Sequence, residues 1–276
     1  MSGDVTATEE RSYLARKLPL FKLSAYQAKF ICEGIGTFIF VMTISLAEVN
    51  CGVAAINGKT RTRNLAPVAE GFMLSVLVFT FGYISGGHFN PAVTFAAMLV
   101  RAMRMEEAVA YWIAQVIGGV FGAVFGTLVN GFPHHLPAPQ VYQNLPGHVF
   151  TGFIAEALFT GFLVTVVLHV AYSRQRNNHY YGLAIGMCLL AAGYSVGGVS
   201  GGAFNPAVAT GLQLTKCIAA GYCIPLMHLW LYWAAPAAGA VGASLLFKMT
   251  HPVPQETDEE TRRKELQRSA RHLYGS

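Results

Sequence analysis

The stretch that decides the fold is "SGGHFNPAVT" at residues 85–94, which returns as "SGGAFNPAVA" at residues 200–209. The two copies match at eight of ten positions. In each copy a Gly-rich turn runs into Asn-Pro-Ala, and Asn as N-cap with Pro at the first helical position is typical of a helix start. The sequence therefore predicts two short helices, one starting at Asn90, Pro91 and Ala92 and the other at Asn205, Pro206 and Ala207.

The apolar stretches that follow these starts, 90–100 and 205–214, are too short to cross a membrane, because helices of this length reach only about half of the hydrocarbon thickness. The chain around them has the composition of a membrane protein. Of its 276 residues 53% are hydrophobic and only 12% are charged, and its mean hydropathy is +0.42. Six further apolar segments have about the length of a spanning helix, and they lie at approximately 28–49, 66–84, 107–130, 150–172, 180–198 and 221–247.

The order of these segments predicts an inverted repeat. The first short helix follows the second span and the other follows the fifth, so each belongs to a unit of three spans, and two such units must lie upside down relative to one another. We therefore expect an all-α membrane protein with six transmembrane helices plus two re-entrant half-helices in an inverted 3+3 repeat. The units are 28–130 and 150–248, joined by an extracytoplasmic connection at 131–149 and flanked by tails at 1–27 and 249–276.

The basic residues predict the orientation of this multi-pass protein. With both tails in the cytoplasm, 15 of the 19 Lys and Arg residues fall on the cytoplasmic side, as the positive-inside rule requires. The other four are Lys59, Arg61 and Arg63 of the segment "KTRTR" at 59–63, which is the one basic cluster outside, and Lys216. The formal charge of +5 does not indicate a nucleic-acid partner, since the basic residues occupy the tails and connections and no nucleic-acid motif is present. The membrane is either the plasma membrane or that of an organelle.

Each unit also carries an acidic residue in its first span, Glu33 in "EGIGT" and Glu156 in "EALFT". An ionisable group at this depth must be hydrogen-bonded or functional. A proton relay is one interpretation. We favour a structural role in which each carboxylate accepts hydrogen bonds from backbone N–H groups of the turn before a half-helix, since hydrocarbon cannot satisfy those groups.

The two turns should dip in from opposite faces and meet near the midplane, since non-helical backbone is tolerated there only when it is buried or lines a wet cavity. Two helix N-termini with half a positive charge each would oppose a cation roughly 5 Å away by about 3 kcal/mol. Asn90 and Asn205 would offer side-chain N–H donors to a water molecule in the gap. A passive pore for neutral molecules explains this pattern better than a secondary transporter, an intramembrane enzyme or an adhesive protein.

At these residues the chain closely resembles the aquaporin, or major intrinsic protein, family. The resemblance covers roughly residues 28–248 and includes "HLWLYWAAPAAGA" at 228–240, which is similar to the sixth span of that family. It implies a right-handed six-helix bundle with one pore per subunit, assembly as a homotetramer in the lipid bilayer, and water and small neutral solutes as the molecules conducted. It implies neither an enzyme activity nor a cofactor or metal.

The resemblance also implies an outer selectivity filter, from which this chain departs. Where water-selective relatives have an Arg after the second Asn-Pro-Ala, this chain has Val208, and the other filter positions fall on Glu70, Gly193 and Gly202. A wider or less polar opening would pass glycerol or urea as well as water. The alternative is a channel that conducts mainly such solutes. Glu70 is either a charged pore residue that attracts cations or, in the interpretation we favour, a structural group that is protonated or bonded to a neighbour such as the "KTRTR" segment.

Three further expectations concern single residue types. His88 either senses pH or, in the interpretation we favour, hydrogen-bonds within the turn or donates to the water file. The five cysteines show neither paired nor metal-ligand spacing, so we interpret them as packing residues. Small residues one turn apart predict close helix contacts in the third and sixth spans, at Gly118, Gly122 and Gly126 and at Ala235, Gly239 and Ala243.

Overall fold

The computed structural model describes residues 23–51, 64–131, 136–141, 147–176 and 178–251, and over these residues it contains helices and no strand. In chain order the helices are α1 (Ala25–Asn50), α2 (Ala66–Ser85), α3 (Pro91–Leu99), α4 (Met105–Val129), α5 (His148–Val167), α6 (Tyr181–Ser200), α7 (Pro206–Ala220) and α8 (Leu231–Thr250). A π-helical turn, Leu168–Tyr172, continues α5, and a 3-10 turn, Ile224–His228, precedes α8. The predicted fold class is confirmed.

Six of these helices are long and apolar enough to cross a membrane in the part of the chain described. They are α1, α2, α4, α5, α6 and α8, where α5 is counted with the π-helical turn that follows it and α8 with the 3-10 turn that precedes it. Each lies within three residues of its predicted limits at both ends. Hydrophobic length alone was therefore sufficient to locate the spans.

The half-helices α3 and α7 begin where the sequence predicts. Asn90 and Asn205 are their N-caps, and each side chain accepts a hydrogen bond of 2.9 Å from the backbone N–H two residues later. The first has 9 residues, but the other has 15 and passes its predicted end at residue 214. It stops at Gly221, which takes the left-handed conformation (φ 64°) that glycine allows at a helix end.

Close helix contacts occur where the small residues predict them. A Cβ atom added at Gly118 or Gly122 of α4 would collide with backbone atoms of α1, and one added at Gly126 would lie 2.6 Å from the Cβ of Ser45. In the other unit a Cβ at Gly239 of α8 would collide with the carbonyl of Ala157 in α5. The two units thus use the same device, in which one helix approaches another closely enough for backbone contact.

The prediction that all five cysteines are packing residues is wrong for two of them. Cys217, near the end of α7, and Cys223, just before the 3-10 turn, form a disulfide. The reason is the reversal of the chain at Gly221, which returns Cys223 to the end of the half-helix. Cys32, Cys51 and Cys188 are free, and Cys32 is buried.

Several sequence predictions lie outside the described residues. These are the arrangement of the tails at 1–22 and 252–276 and of the "KTRTR" segment at 59–63. The connection at 131–149 is described only in part.

Candidate functional site: a constriction between two half-helices

The two Gly-rich turns have the same backbone conformation. Each begins with a glycine in the left-handed region that ends the preceding helix, Gly86 (φ 95°) after α2 and Gly201 (φ 82°) after α6. Each ends with a phenylalanine that also has a positive φ, 47° at Phe89 and 48° at Phe204. A bulky residue in this region is strained, so the surrounding hydrogen bonds must hold the turn in place.

Glu33 supplies those bonds in the first unit. Its Oε1 accepts from the Ser85 hydroxyl (2.7 Å) and the His88 backbone N–H (2.9 Å). Its Oε2 accepts from the Phe89 backbone N–H (2.7 Å) and the Gln115 side-chain amide (2.8 Å). The carboxylate is fully buried, and all four of these bonds serve the turn and the helix beside it.

Glu156 has the equivalent position in the second unit. Its Oε1 accepts from the Ser200 hydroxyl (2.6 Å) and the Ala203 backbone N–H (3.0 Å), and its Oε2 accepts from the Phe204 backbone N–H (2.7 Å). It too is fully buried. Both carboxylates therefore accept hydrogen bonds from the backbone of the non-helical turns, which is the structural arrangement that the sequence predicts.

The tips of the half-helices are joined by reciprocal hydrogen bonds. The side-chain amide of Asn90 donates to the Phe204 carbonyl and that of Asn205 donates to the Phe89 carbonyl, both at 2.8 Å. Each amide nitrogen has two hydrogens, so one of them is used in this bond and the other remains for a ligand. The two Asn-Pro-Ala motifs therefore meet inside the protein and hold one another in position.

A narrow cavity lies at this meeting point. Its volume is about 20 Å³ for the centre of a water-sized molecule, which is room for one water. Both Asn90 and Asn205 line it, and His88 lies at its edge. The remaining wall is mostly apolar and comes from α1, α2, α5 and α6, through Phe40, Leu74, Leu163, Val167, Ile185 and Leu189. The polar groups here are thus concentrated at the half-helix tips.

The His88 ring is held by two hydroxyl groups. Its Nδ1 lies 3.0 Å from the Thr94 hydroxyl, and its Nε2 is hydrogen-bonded to the Tyr172 hydroxyl. Tyr172 is the last residue of the π-helical turn after α5. The ring is buried and both of its nitrogens are engaged, which agrees with hydrogen bonding near the turn, one of the roles that the sequence left open.

The four residues predicted to form the filter line a second, larger cavity above the constriction. This outer cavity has a volume of about 540 Å³, and Val208, Gly202 and Ala203, at or near the tip of α7, line it. Glu70 and Gly193 also line it, so the structure brings all four predicted positions together. Their role as a selectivity filter stays a prediction.

Sequence reasoning missed several residues of the site. Two charged residues, Glu48 of α1 and Lys216 of α7, line the outer cavity. Polar side chains of α4 and α8 also hold the half-helices. The Tyr111 hydroxyl donates to the Ser85 carbonyl (2.6 Å) and the Trp112 indole N–H donates to the Pro91 carbonyl (3.0 Å).

The second unit repeats this support. The Tyr232 hydroxyl donates to the Ser200 carbonyl, and the Trp233 indole N–H donates to the Thr210 hydroxyl at 3.0 Å. The sequence contains a signal for this repeated support, since a Tyr-Trp pair stands at 111–112 and again at 232–233. The repeated pair falls in the third span of each unit, which is where the inverted repeat demands equivalent contacts.

Comparison with known proteins agrees with this architecture. The major intrinsic protein family model matches residues 21–247. The chain is 34% identical to the glycerol uptake facilitator protein-like 6 of Lactiplantibacillus plantarum over 222 residues, 78% of this chain and 94% of that protein. It is 29% identical to Nodulin-26 of Glycine max over 238 residues, 85% of this chain and 82% of that protein.

Among solved structures, the aquaglyceroporin from Plasmodium falciparum has the same fold. The TM-score is 0.68 at 22% sequence identity, and the match covers 84% of this chain and 98% of that one. Together with the two half-helices and their paired Asn-Pro-Ala tips, the family match leads to one conclusion. The chain belongs to the major intrinsic protein family, whose members are membrane channels and not enzymes.

Proposed function

We propose that the protein is a passive channel that conducts water and also small neutral solutes such as glycerol and urea. The observation that carries this proposal is the pair of half-helix tips, joined by their asparagine amides around a cavity the size of one water molecule. The cavity has hydrogen-bond donors on one side and apolar side chains on the others. A neutral hydroxylic molecule can accept hydrogen bonds from these donors, and no charged group is needed to bind it.

The same tips would exclude cations. Both helices present their N-termini to the constriction. Their dipoles oppose a monovalent cation by about 3 kcal/mol, so its occupancy of the constriction is roughly a hundredfold lower than without them. A water molecule that accepts hydrogen bonds from both Asn90 and Asn205 has no lone pair left to accept a proton from the next water in the file. The file is therefore interrupted for protons while water itself passes.

Passage of larger solutes is supported by the outer cavity. The family resemblance places an arginine at the position of Val208, and here a buried aliphatic side chain takes its place. Gly193 and Gly202 line the same cavity, and neither has a side chain that narrows it. The name of the glycerol uptake facilitator relative agrees with a channel that conducts mainly solutes, which is the second candidate.

Reconstituted vesicles separate the candidates. Osmotic water, glycerol and urea permeability should be measured by stopped-flow light scattering in one preparation of proteoliposomes. Fast water flow that does not saturate supports a channel, whereas saturation and ion coupling would support a transporter. Solute flow that exceeds water flow, relative to empty vesicles, would favour the second candidate.

Val208→Arg tests the location of the filter. A guanidinium group beside Gly193 and Gly202 should narrow the outer cavity, so we expect glycerol and urea permeability to fall about tenfold or more while water still flows faster than in empty vesicles. Solute permeability equal to that of the wild-type protein would show that the constriction lies elsewhere.

We also infer the finer topology and assembly. Both termini face the cytoplasm, because that orientation places most basic residues there. The subunits form a homotetramer with one pore each, as the family resemblance implies. Protease protection of the tails in intact cells tests the orientation, and mass measurement of the detergent-solubilised protein tests the assembly.

A further inference from the structure

A third cavity lies on the opposite side of the constriction from the outer cavity. This inner cavity has a volume of about 230 Å³, and the last turn of α2 lines it, whereas the first turns of α2 line the outer cavity. The outer cavity shares Phe40, Leu189 and Ala203 with the lining of the constriction. The inner cavity shares His88 with that lining. A route from the constriction into the inner cavity therefore passes the His88 ring.

Tyr172 lies beside His88 on this route. Its side chain lines the inner cavity, and its hydroxyl is hydrogen-bonded to the Nε2 of His88. The centroids of the two rings are 6.1 Å apart. On the other side of the His88 ring, Nδ1 lies 3.0 Å from the Thr94 hydroxyl of α3, so the half-helix fixes the ring. The two joined rings therefore stand at the boundary between the constriction and the inner cavity.

The helical turn that positions Tyr172 can exist in two forms. Leu168–Tyr172 is a π-helical turn at the end of α5, and such single turns are rare and occur frequently at functional sites. If these five residues became α-helical, the residues at their end would move on by about one position, a rotation of about 100°. Tyr172 would then turn away from His88, and Ala171, whose side chain is only a methyl group, would take its place.

Contacts from outside the turn hold it in the π-helical form. The side-chain amide of Asn178 donates to the Val170 carbonyl at 2.8 Å, and the Ser173 hydroxyl donates to the His169 carbonyl. The His169 ring packs edge-on against Phe247 at the end of α8, with centroids 5.3 Å apart. These contacts come from the segment after the turn and from α8. A movement of either one therefore changes the balance between the π-helical and α-helical forms.

We propose that Tyr172 is a gate at the inner end of the pathway, closed in this structure by its hydrogen bond to His88, and that the π-helical turn is the switch that opens it. This inference rests on the proposed function, since a gate requires conduction. A typical hydrogen bond shifts an equilibrium about fivefold. If this bond is the whole difference between the closed and open forms, about one channel in six is open at any moment.

Water efflux from proteoliposomes that contain equal amounts of folded protein tests the gate. Tyr172→Ala removes both the ring and its hydroxyl, so we expect water permeability about six times that of the wild-type protein. Tyr172→Phe keeps the ring but loses the bond, so about half of the channels should be open and permeability should rise about threefold. Asn178→Ala removes a bond that holds the π-helical form. It should also raise permeability, although Asn178 lines neither the constriction nor the inner cavity.

Tyr26→Ala is the matched control, because Tyr26 is an exposed tyrosine in the first turn of α1 that lines neither the constriction nor the inner cavity. It should conduct water like the wild-type protein. Water flow through both Tyr172 variants no faster than through the wild-type protein would overturn the gate. Wild-type flow in Asn178→Ala, beside fast flow in Tyr172→Ala, would refute the switch. If neither the wild-type protein nor Tyr172→Ala exceeds empty vesicles, the proposed function fails instead.

Discussion

Replacing Gly119 with alanine tests whether close helix packing holds the constriction together. Gly119 lies in α4, and a Cβ atom there would be 2.6 Å from the carbonyl oxygen of Ala207 in α7. Carbon and oxygen in ordinary contact lie about 3.3 Å apart. The half-helix would therefore have to move by about 0.7 Å, the difference between those two distances.

This shift acts directly on the constriction. Ala207 follows Asn205 by two residues, and the amide of Asn205 is 2.8 Å from the Phe89 carbonyl. A displacement of about 0.7 Å away from that carbonyl would bring the distance to about 3.5 Å, at which a hydrogen bond is largely lost. Overpacking of this kind costs about 1–3 kcal/mol. We expect both a lower unfolding temperature and water permeability several times below that of the wild-type protein.

Gly242→Ala is the matched control. Gly242 lies in α8 and is exposed, and a Cβ atom there would have no neighbour within 4 Å. Both substitutions gain the same helix propensity of about 0.5–1 kcal/mol, so the difference between them isolates the packing cost. Thermal unfolding in detergent and stopped-flow shrinkage of proteoliposomes measure the two effects. If Gly119→Ala unfolds and conducts like Gly242→Ala, the close contact between α4 and α7 does not position the tip.

Two other substitutions test the hydrogen bonds around the turns. Glu156→Gln keeps the size of the side chain but leaves one buried backbone N–H without an acceptor, so the free energy of unfolding should fall by about 1–3 kcal/mol. Thermal unfolding measures this change. An unfolding temperature equal to that of Glu106→Gln, which alters an exposed carboxylate in the first turn of α4, would contradict the prediction. Tyr172→Phe removes the hydroxyl bound to the Nε2 of His88 and should cost about 1 kcal/mol. Tyr180→Phe, which removes an exposed hydroxyl that donates to Gln175, serves as its reference, and equal unfolding temperatures for the pair would show that the histidine contact adds no more stability than an exposed hydrogen bond.

The residues that sequence reasoning found and those it missed differ in the range of their contacts. The turn around Asn90 and the role of Glu33 could be predicted, because a repeated motif and an acidic residue at membrane depth each demand a partner. Glu48 could not be predicted, since only the packing of α1 beside α2 places it on the outer cavity. The disulfide between Cys217 and Cys223 was missed because it depends on where α7 ends.

Hydrophobic length and the inverted order of the two motifs determined the six spans, the two half-helices and their opposed direction, since a membrane permits few other arrangements for such segments. The sequence also determined the chemistry at the tips, because Asn and Pro start a helix in a recognisable way. Tertiary structure alone decided the width of the pathway, the reciprocal bonds between Asn90 and Asn205, and the meeting of two acidic residues in the outer cavity. The physical reason is that cavities and hydrogen bonds between distant parts of the chain depend, to within fractions of an ångström, on how closely helices approach one another. The order of residues along each helix does not specify that distance.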